Sequence, residues 1–263
     1  MELADKVVVV TGGASGIGAA LCRRFAEESP QGLVVADVDA DGAQAVADEV
    51  GGTPVEADLS TREGVEAVVE AARDAHSRID LYCSNAGVPG GAQFSEDPAD
   101  WQRAWDVNVM AHVHAAHLLL PEWLERGEGY LLGTVSAAGL LNHIFAAPYA
   151  ASKAAALSVL EWLAIAHGPD GVRVSALCPQ GVKTPMLEED PSGFLAQDAM
   201  DPSEVADVVV AGIADERFLI LPHPEVADYA ARRGNDHDRW IKGMQRLRSN
   251  VVEAFPDLAT PRG

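Results

Sequence analysis

The opening of the chain decides most of what it can become. Residues 6–11 (KVVVVT) are a β-branched run with no polar alternation, the pattern of a strand buried on both faces of a sheet. The run passes directly into Gly12-Gly13-Ala14-Ser15-Gly16-Ile17-Gly18. Helical spacing follows over 16–28 and stops short of Pro30. Glycines let a backbone turn sharply and let a bulky anion approach the main chain. The helix N-terminus then offers unpaired N–H groups and the positive end of its dipole. A strand, a glycine turn and a helix in this order predict a first β-α unit with room for a diphosphate.

The alternation continues. Strand patterns at 33–36, 53–57, 79–84, 130–135, 172–177 and 217–221 alternate with helical patterns at 41–50, 62–76, 98–125, 148–167 and 202–214. Such a chain builds right-handed crossovers. The expected fold is α/β: a doubly wound parallel sheet (Rossmann fold) of seven strands with helices on both faces. No repeat or linker interrupts residues 1–263, so a single domain is expected. Two segments depart from the pattern. Residues 184–200 are rich in Pro, Gly and acidic residues and read as a lid. The tail, 222–250, reads as one or two helices, with Pro224 in a first turn, Gly234 as a stop and Asp236 as a new N-cap. Trp240, Met244 and Leu247 share a face there and read as a packing stripe.

Composition narrows the partners. Of 263 residues, 48% are hydrophobic and 22% charged, an ordinary globular balance. The net charge of −21 repels phosphate backbones and anionic bilayers, so nucleic acid and membrane are not expected partners. No apolar run reaches the length of a membrane span, and the first residues do not read as a signal peptide. Three cysteines without a C-x-x-C pattern fit a reducing, cytoplasmic setting.

Asp37 ends the second strand pattern. A carboxylate there accepts both adenosine ribose hydroxyls and repels a 2′-phosphate, and Ser15, Val38 and Asp39 bring no positive charge. The expected cofactor is NAD. Asp58, with the adjoining Leu59, is placed against the adenine edge or in a turn. Tyr149 and Lys153 stand four apart at the start of a helix and share its face. An ammonium beside a phenol favours the phenolate, so Lys153 is expected to lower the pKa of Tyr149 and make it a general acid/base. Ser136 follows the fifth strand, at the sheet edge where such folds bind ligands.

Together these residues resemble the short-chain dehydrogenase/reductase family. The resemblance runs from about residue 6 to 221. It rests on Thr11-Gly12-x-x-x-Gly16-Ile17-Gly18, Asn85-Ala86-Gly87, Asn108, Ser136, Tyr149-x-x-x-Lys153, and Pro179 with Thr184. It implies Ser136, Tyr149 and Lys153 as a catalytic triad, with Asn108 breaking a helix and holding a water on a relay through Lys153. It implies that Lys153 binds the nicotinamide ribose. Asn85, Ala86 and Gly87 border the adenine-ribose side, and Val182 and Thr184 touch the carboxamide.

The chain departs from the family at Gln180, where a glycine is usual and where a side chain would fall near the nicotinamide. It departs again in the helical tail. The expected activity is NAD-dependent interconversion of a hydrophobic or cyclic secondary alcohol and its ketone, in a homodimer or homotetramer. The alternatives are a carbonyl or keto-acyl reductase, or a non-catalytic NAD(H)-binding regulatory protein. His143 and Met186 are expected to meet substrate, within a pocket drawn from Val88, Phe94, Leu140, Leu141, Ile144, Phe145, Leu187 and Phe194. His112, His114 and His117 do not share one helix face, and no metal site is expected.

Overall fold

A computed structural model describes residues 1–188, 196 and 199–259. Its strands are β1 (Val7–Thr11), β2 (Gly32–Asp37), β3 (Thr53–Glu56), β4 (Leu81–Ser84), β5 (Gly129–Thr134), β6 (Val172–Leu177) and β7 (Leu219–Ile220). They form one parallel sheet in the order β3-β2-β1-β4-β5-β6-β7. The chain builds outward from β1 in one direction, then returns and builds from β4 in the other. The crevice between the C-terminal ends of β1 and β4 is therefore the topological switch point.

Helices α1 (Gly16–Ala26), α2 (Ala40–Val50) and α9 (Pro202–Ala214) bury residues in one core, and α3 (Arg62–His76), α5 (Ala111–Arg126) and α7 (Ala147–His167) in the other. The valine run explains itself here. Val8 and Val10 enter the first core and Val9 the second, so no polar residue is tolerated between them. At the opposite end of the sheet, buried Asp80 accepts from the Val7 N–H at 2.9 Å and pairs with Arg78 and Arg126.

Several expected boundaries are corrected. The single helix read over 98–125 is α4 (Pro98–Trp105), a π-turn at Asp106–Met110, and α5. Asn108 sits inside that π-turn with its side chain held inward by Val88. The last strand is two residues long, because the Arg217 N–H closes a turn on Gly212 O before pairing with β6 can begin. Two short helices, α6 (Ala137–Leu141) and α8 (Pro185–Glu188), were not expected. The tail forms two helices, α10 (Glu225–Asn235) and α11 (His237–Ala254), with Asp236 capping α11 through the Arg239 N–H at 2.9 Å. Of the expected lid, 189–195 and 197–198 lie outside the described residues. The feet of that segment are joined by a bridge between Val182 and Met200. Among the described residues, no helix is long and apolar enough to cross a membrane.

Candidate active site

The glycine turn is built so that it cannot be filled. Gly12 and Gly16 have φ of 66° and 52°. A Cβ on Gly18 would lie 1.9 Å from the Gly12 carbonyl oxygen, and one on Gly12 would lie 2.9 Å from Ala86 Cα. Ser15, at the N-cap of α1, makes no side-chain capping bond, and the first turn of α1 holds no acidic residue. By contrast α2, α3 and α9 are closed by Asp39, Thr61 and Asp201. The N–H groups of α1 are thus left for an anion. Gly12, Ser15, Gly16, Ile17 and Gly18 line one wall of a cavity of ≈ 2180 Å³. That volume exceeds the several hundred Å³ of an ordinary ligand pocket, which suits a dinucleotide together with a second molecule.

Asp37, Asp58 and Leu59 line the same cavity, as do Asn85, Ala86, Gly87, Val182 and Thr184. Asp37 accepts from the Ala14 and Asp39 N–H groups, both at 3.0 Å, and so ties the glycine turn to the end of β2. Asp58 accepts from the Ser60 N–H, and the hydrogen bonds of Ser60 hold its carboxyl below the usual carboxylate range. Its turn role and its place in the cavity coexist. Asn85 donates to Thr11 O at 3.0 Å and accepts from the Thr134 hydroxyl at 2.9 Å, while the Thr11 hydroxyl accepts from the Asn85 N–H. β1, β4 and β5 are stitched together beneath the crevice.

Ser136, Tyr149 and Lys153 meet on the facing wall. Ser136 caps α6, accepting from the Ala138 N–H at 3.1 Å. Buried Lys153 donates to Thr134 O at 2.8 Å, and its Nζ lies 5.7 Å from the centre of the Tyr149 ring. Asn108 is fully buried. It donates to Val88 O and Ser152 Oγ, both at 3.0 Å, and accepts from the Val88 N–H at 2.9 Å. Its side chain is therefore spent on Val88 and Ser152, and Ser152 in turn donates to Tyr149 O at 2.9 Å.

One expectation about this group is reversed in the protein alone. Burial raises the Tyr149 phenol pKa above its ordinary value, and what lowers it is a hydrogen bond with Ser136 rather than the lysine. The same burial pushes Lys153 down to about 8 from 10.5. Desolvation penalises both charged forms. A consequence is measurable. Below pH 8 both folded and unfolded chains carry the Lys153 charge, and the folded state bears its full desolvation cost. As pH rises from about 8 towards 10.5 the folded chain binds fewer protons than the unfolded one, so this group's cost is relieved. Relative to Lys153→Met, the parent should gain up to about 3 kcal/mol across that window in urea unfolding. A pH-independent difference would contradict the burial of a charged lysine.

The second half of the cavity is made by loops and the tail. His143 lines it, with its ring edge-on to Tyr149 at 6.3 Å and Nδ1 accepting from the Phe145 N–H. Met186 lines it too, with Val88, Leu141, Ile144, Phe145 and Leu187. Two expected pocket residues turn away. Phe94 is 75% exposed and packs edge-on against Trp101, and Leu140 packs in the cluster that holds α10. Phe194 lies outside the described residues. Gln180 does not project freely: its side chain donates to Glu225 and its N–H donates to Nδ1 of buried His223 at 3.1 Å. The stripe Trp240, Met244 and Leu247 was expected only to pack. It lines the cavity, with Trp240 and Leu247 also packed against the clusters around Val226 and Phe145. His112 is fully buried with neither ring nitrogen hydrogen-bonded, and burial holds its pKa at about 3. Among the described residues, no group of three or more His, Cys, Asp or Glu side chains is placed to hold a metal.

Sequence reasoning assigned no role to Thr134 or Ser152 and quoted Thr11 only within the glycine motif; all three hold the framework of the site, and Thr134 also lines the cavity. Their only signal was position, at strand ends and inside the Tyr149–Lys153 turn. Comparison with known proteins identifies the family and the fold. The family model described as short chain dehydrogenase matches residues 6–193. The 1-deoxy-11-beta-hydroxypentalenate dehydrogenase of Streptomyces exfoliatus is 38% identical over 236 residues, covering 86% of each chain. The meso-2,3-butanediol dehydrogenase of Serratia marcescens is 32% identical, over 84% of this chain and 92% of its own. A short chain dehydrogenase/reductase of Burkholderia phymatum, solved in complex with NAD, superposes with a TM-score of 0.83 at 30% identity. That match covers 90% of this chain and 96% of its own.

Proposed function

Since the chain belongs to the short-chain dehydrogenase family, we propose that it is an NAD-dependent oxidoreductase interconverting a hydrophobic or cyclic secondary alcohol and its ketone. The observation that carries this reading is one cavity in which Ser136, Tyr149 and Lys153 face an uncapped glycine turn. NAD, when bound, supplies the hydride acceptor. The free N–H groups at Ser15–Gly18 hold its diphosphate, Asp37 accepts from the adenosine ribose, and Asp58 and Leu59 flank the adenine. Asn85, Ala86 and Gly87 form the floor, with Lys153 at the second ribose and Val182 and Thr184 at the carboxamide. The neighbouring structures solved with NAD or NADH support this choice.

Ser136 and Tyr149 hydrogen-bond the substrate oxygen. Tyr149 takes the alcohol proton in oxidation and returns it in reduction. Lys153 carries the compensating charge, and Asn108 fixes the Val88 loop and the helix bearing Tyr149. The raised phenol pKa keeps Tyr149 protonated at neutral pH, the form that serves ketone reduction. Alcohol oxidation needs the phenolate, so its kcat/KM should climb as pH rises above neutrality; a flat profile from pH 6 to 9 would contradict the assignment.

Cofactor choice tests the other wall. Fluorescence titration should show NADH bound well above NADPH, and Asp37→Ser should weaken NADH by about 10–100-fold through loss of charge-assisted hydrogen bonds. Equal parent affinities for the two nucleotides would overturn the role of Asp37. The reading extends to a cytoplasmic homo-oligomer. It is supported by buried free Cys22, Cys83 and Cys178, and by Trp162 and Ile165 exposed on α7 at 62% and 78%.

A further inference from the structure

Three arginines set the tail side of the cavity apart. Arg232 on α10 and Arg239 and Arg246 on α11 all line it. Among the described residues none of the three has an ion-pair partner or a side-chain hydrogen bond, whereas Arg24, Arg73, Arg126 and Arg173 are all paired elsewhere on the fold. Two acids of the tail also line the cavity, and neither is ion-paired with these arginines. Glu225 is engaged by Gln180, and Asp236 accepts from the Arg239 main-chain N–H. Arg232 lies instead over the Tyr229 ring, 5.7 Å from its centre.

Gly243 sits between Arg239 and Arg246 on the same face of α11 and lines the cavity. A glycine inside a helix costs about 0.5–1 kcal/mol relative to alanine. Here a Cβ would meet only the Arg246 guanidinium, at 4.0 Å, so packing does not require its absence. The glycine leaves a notch beside the Arg246 guanidinium, with Arg239 one turn earlier on the same face. Beside that notch runs the apolar stripe of Trp240, Met244 and Leu247. The cofactor's own anionic group is served by the glycine turn after β1, whereas α10 packs on α6, the helix that follows Ser136. In a chain of net charge −21, an anion is repelled at long range and needs such a local positive field to dock.

We infer that the substrate is a hydroxy acid or keto acid: an apolar secondary alcohol or ketone bearing a carboxylate away from the reacting carbon, held at the mouth by Arg232, Arg239 and Arg246. This deepens, and rests on, the oxidoreductase reading. No bond changes at the carboxylate; its role is binding and orientation.

The test uses hydroxycyclohexanecarboxylates and their methyl esters as paired substrates with NAD. The acids should be turned over with higher kcat/KM than the esters. Arg239→Gln with Arg246→Gln should lower that advantage by about tenfold, chiefly through KM. Ester turnover and NADH affinity should stay unchanged, and Arg246→Lys should recover part of the loss. Equal efficiency for acids and esters, or arginine variants that leave their ratio unchanged, would overturn the inference and leave the oxidoreductase reading standing. If neither series is turned over in either direction, the mouth is read by binding alone. Cyclohexanecarboxylate titrated into the NADH complex then decides the mouth: binding lost in the arginine variants supports it, and no binding overturns it.

Discussion

Replacing Tyr149 with Phe should lower turnover by about 10²–10⁴-fold, the contribution of one positioned proton donor, while NADH binds as in the parent. The substitution is conservative in space. The ring is held edge-on to His143, with Lys153 Nζ 5.7 Å from its centre, and a phenylalanine keeps that packing. What it removes is the hydroxyl that hydrogen-bonds Ser136. Steady-state rates and NADH titration on the same preparation separate the two effects. Turnover within a few-fold of the parent would assign the proton to another group, with Lys153 or water the first to examine.

Gly18→Ala should abolish dinucleotide binding and cost ~3 kcal/mol or more of stability, at the upper end of overpacking. Its added methyl would fall 1.9 Å from the Gly12 carbonyl oxygen, a main-chain atom that cannot swing aside, and the methyl itself is fixed to the backbone of α1. Either the turn opens or α1 leaves β1, and in both cases the N–H groups at Ser15–Gly18 lose their common focus. Gly168→Ala is the matched control. That glycine has φ of −56° with nothing within 4 Å of a Cβ, so the change should be neutral or stabilise by up to about 1 kcal/mol. Thermal melts with NADH titrations of both variants check this. Normal NADH affinity in Gly18→Ala would mean that the close approach of turn and helix is not what admits the diphosphate.

The sheet and the pairing of Tyr149 with Lys153 were open to sequence reasoning because they follow from short-range rules. Four consecutive valines require burial on both faces, and a four-residue spacing puts Tyr149 and Lys153 on one helix face wherever the helix packs. The π-turn was open to it only through the family resemblance, which implied that Asn108 breaks a helix. Periodicity over 98–125 gave no sign of it, because the interruption comes from Asn108 bonding Val88 twenty residues earlier. Helix α6 has five residues, too few to show a period. The raised phenol pKa depends on how much protein surrounds the ring, which spacing alone does not encode. The tail stripe packs as expected, and its second role in the cavity lining was hidden for a related reason. Trp240, Met244 and Leu247 show the same periodicity whether they meet a core or a cavity, and only the placement of α11 against the loop around Phe145 decides it. Gln180 lines the cavity, and the tail fixes it there, Glu225 accepting from its side chain and His223 from its N–H.

The most direct test of the whole account follows the hydride itself. A cyclic secondary alcohol deuterated at the carbinol carbon is incubated with the protein and NAD, and the nucleotide and organic products are analysed by mass spectrometry. The account predicts deuterium in the reduced nicotinamide with an equal amount of unlabelled ketone, and both formed about 10²–10⁴-fold more slowly with Tyr149→Phe. Tight NADH binding with no transfer of label from any alcohol tried, and none from deuterated NADH to any ketone, would contradict it.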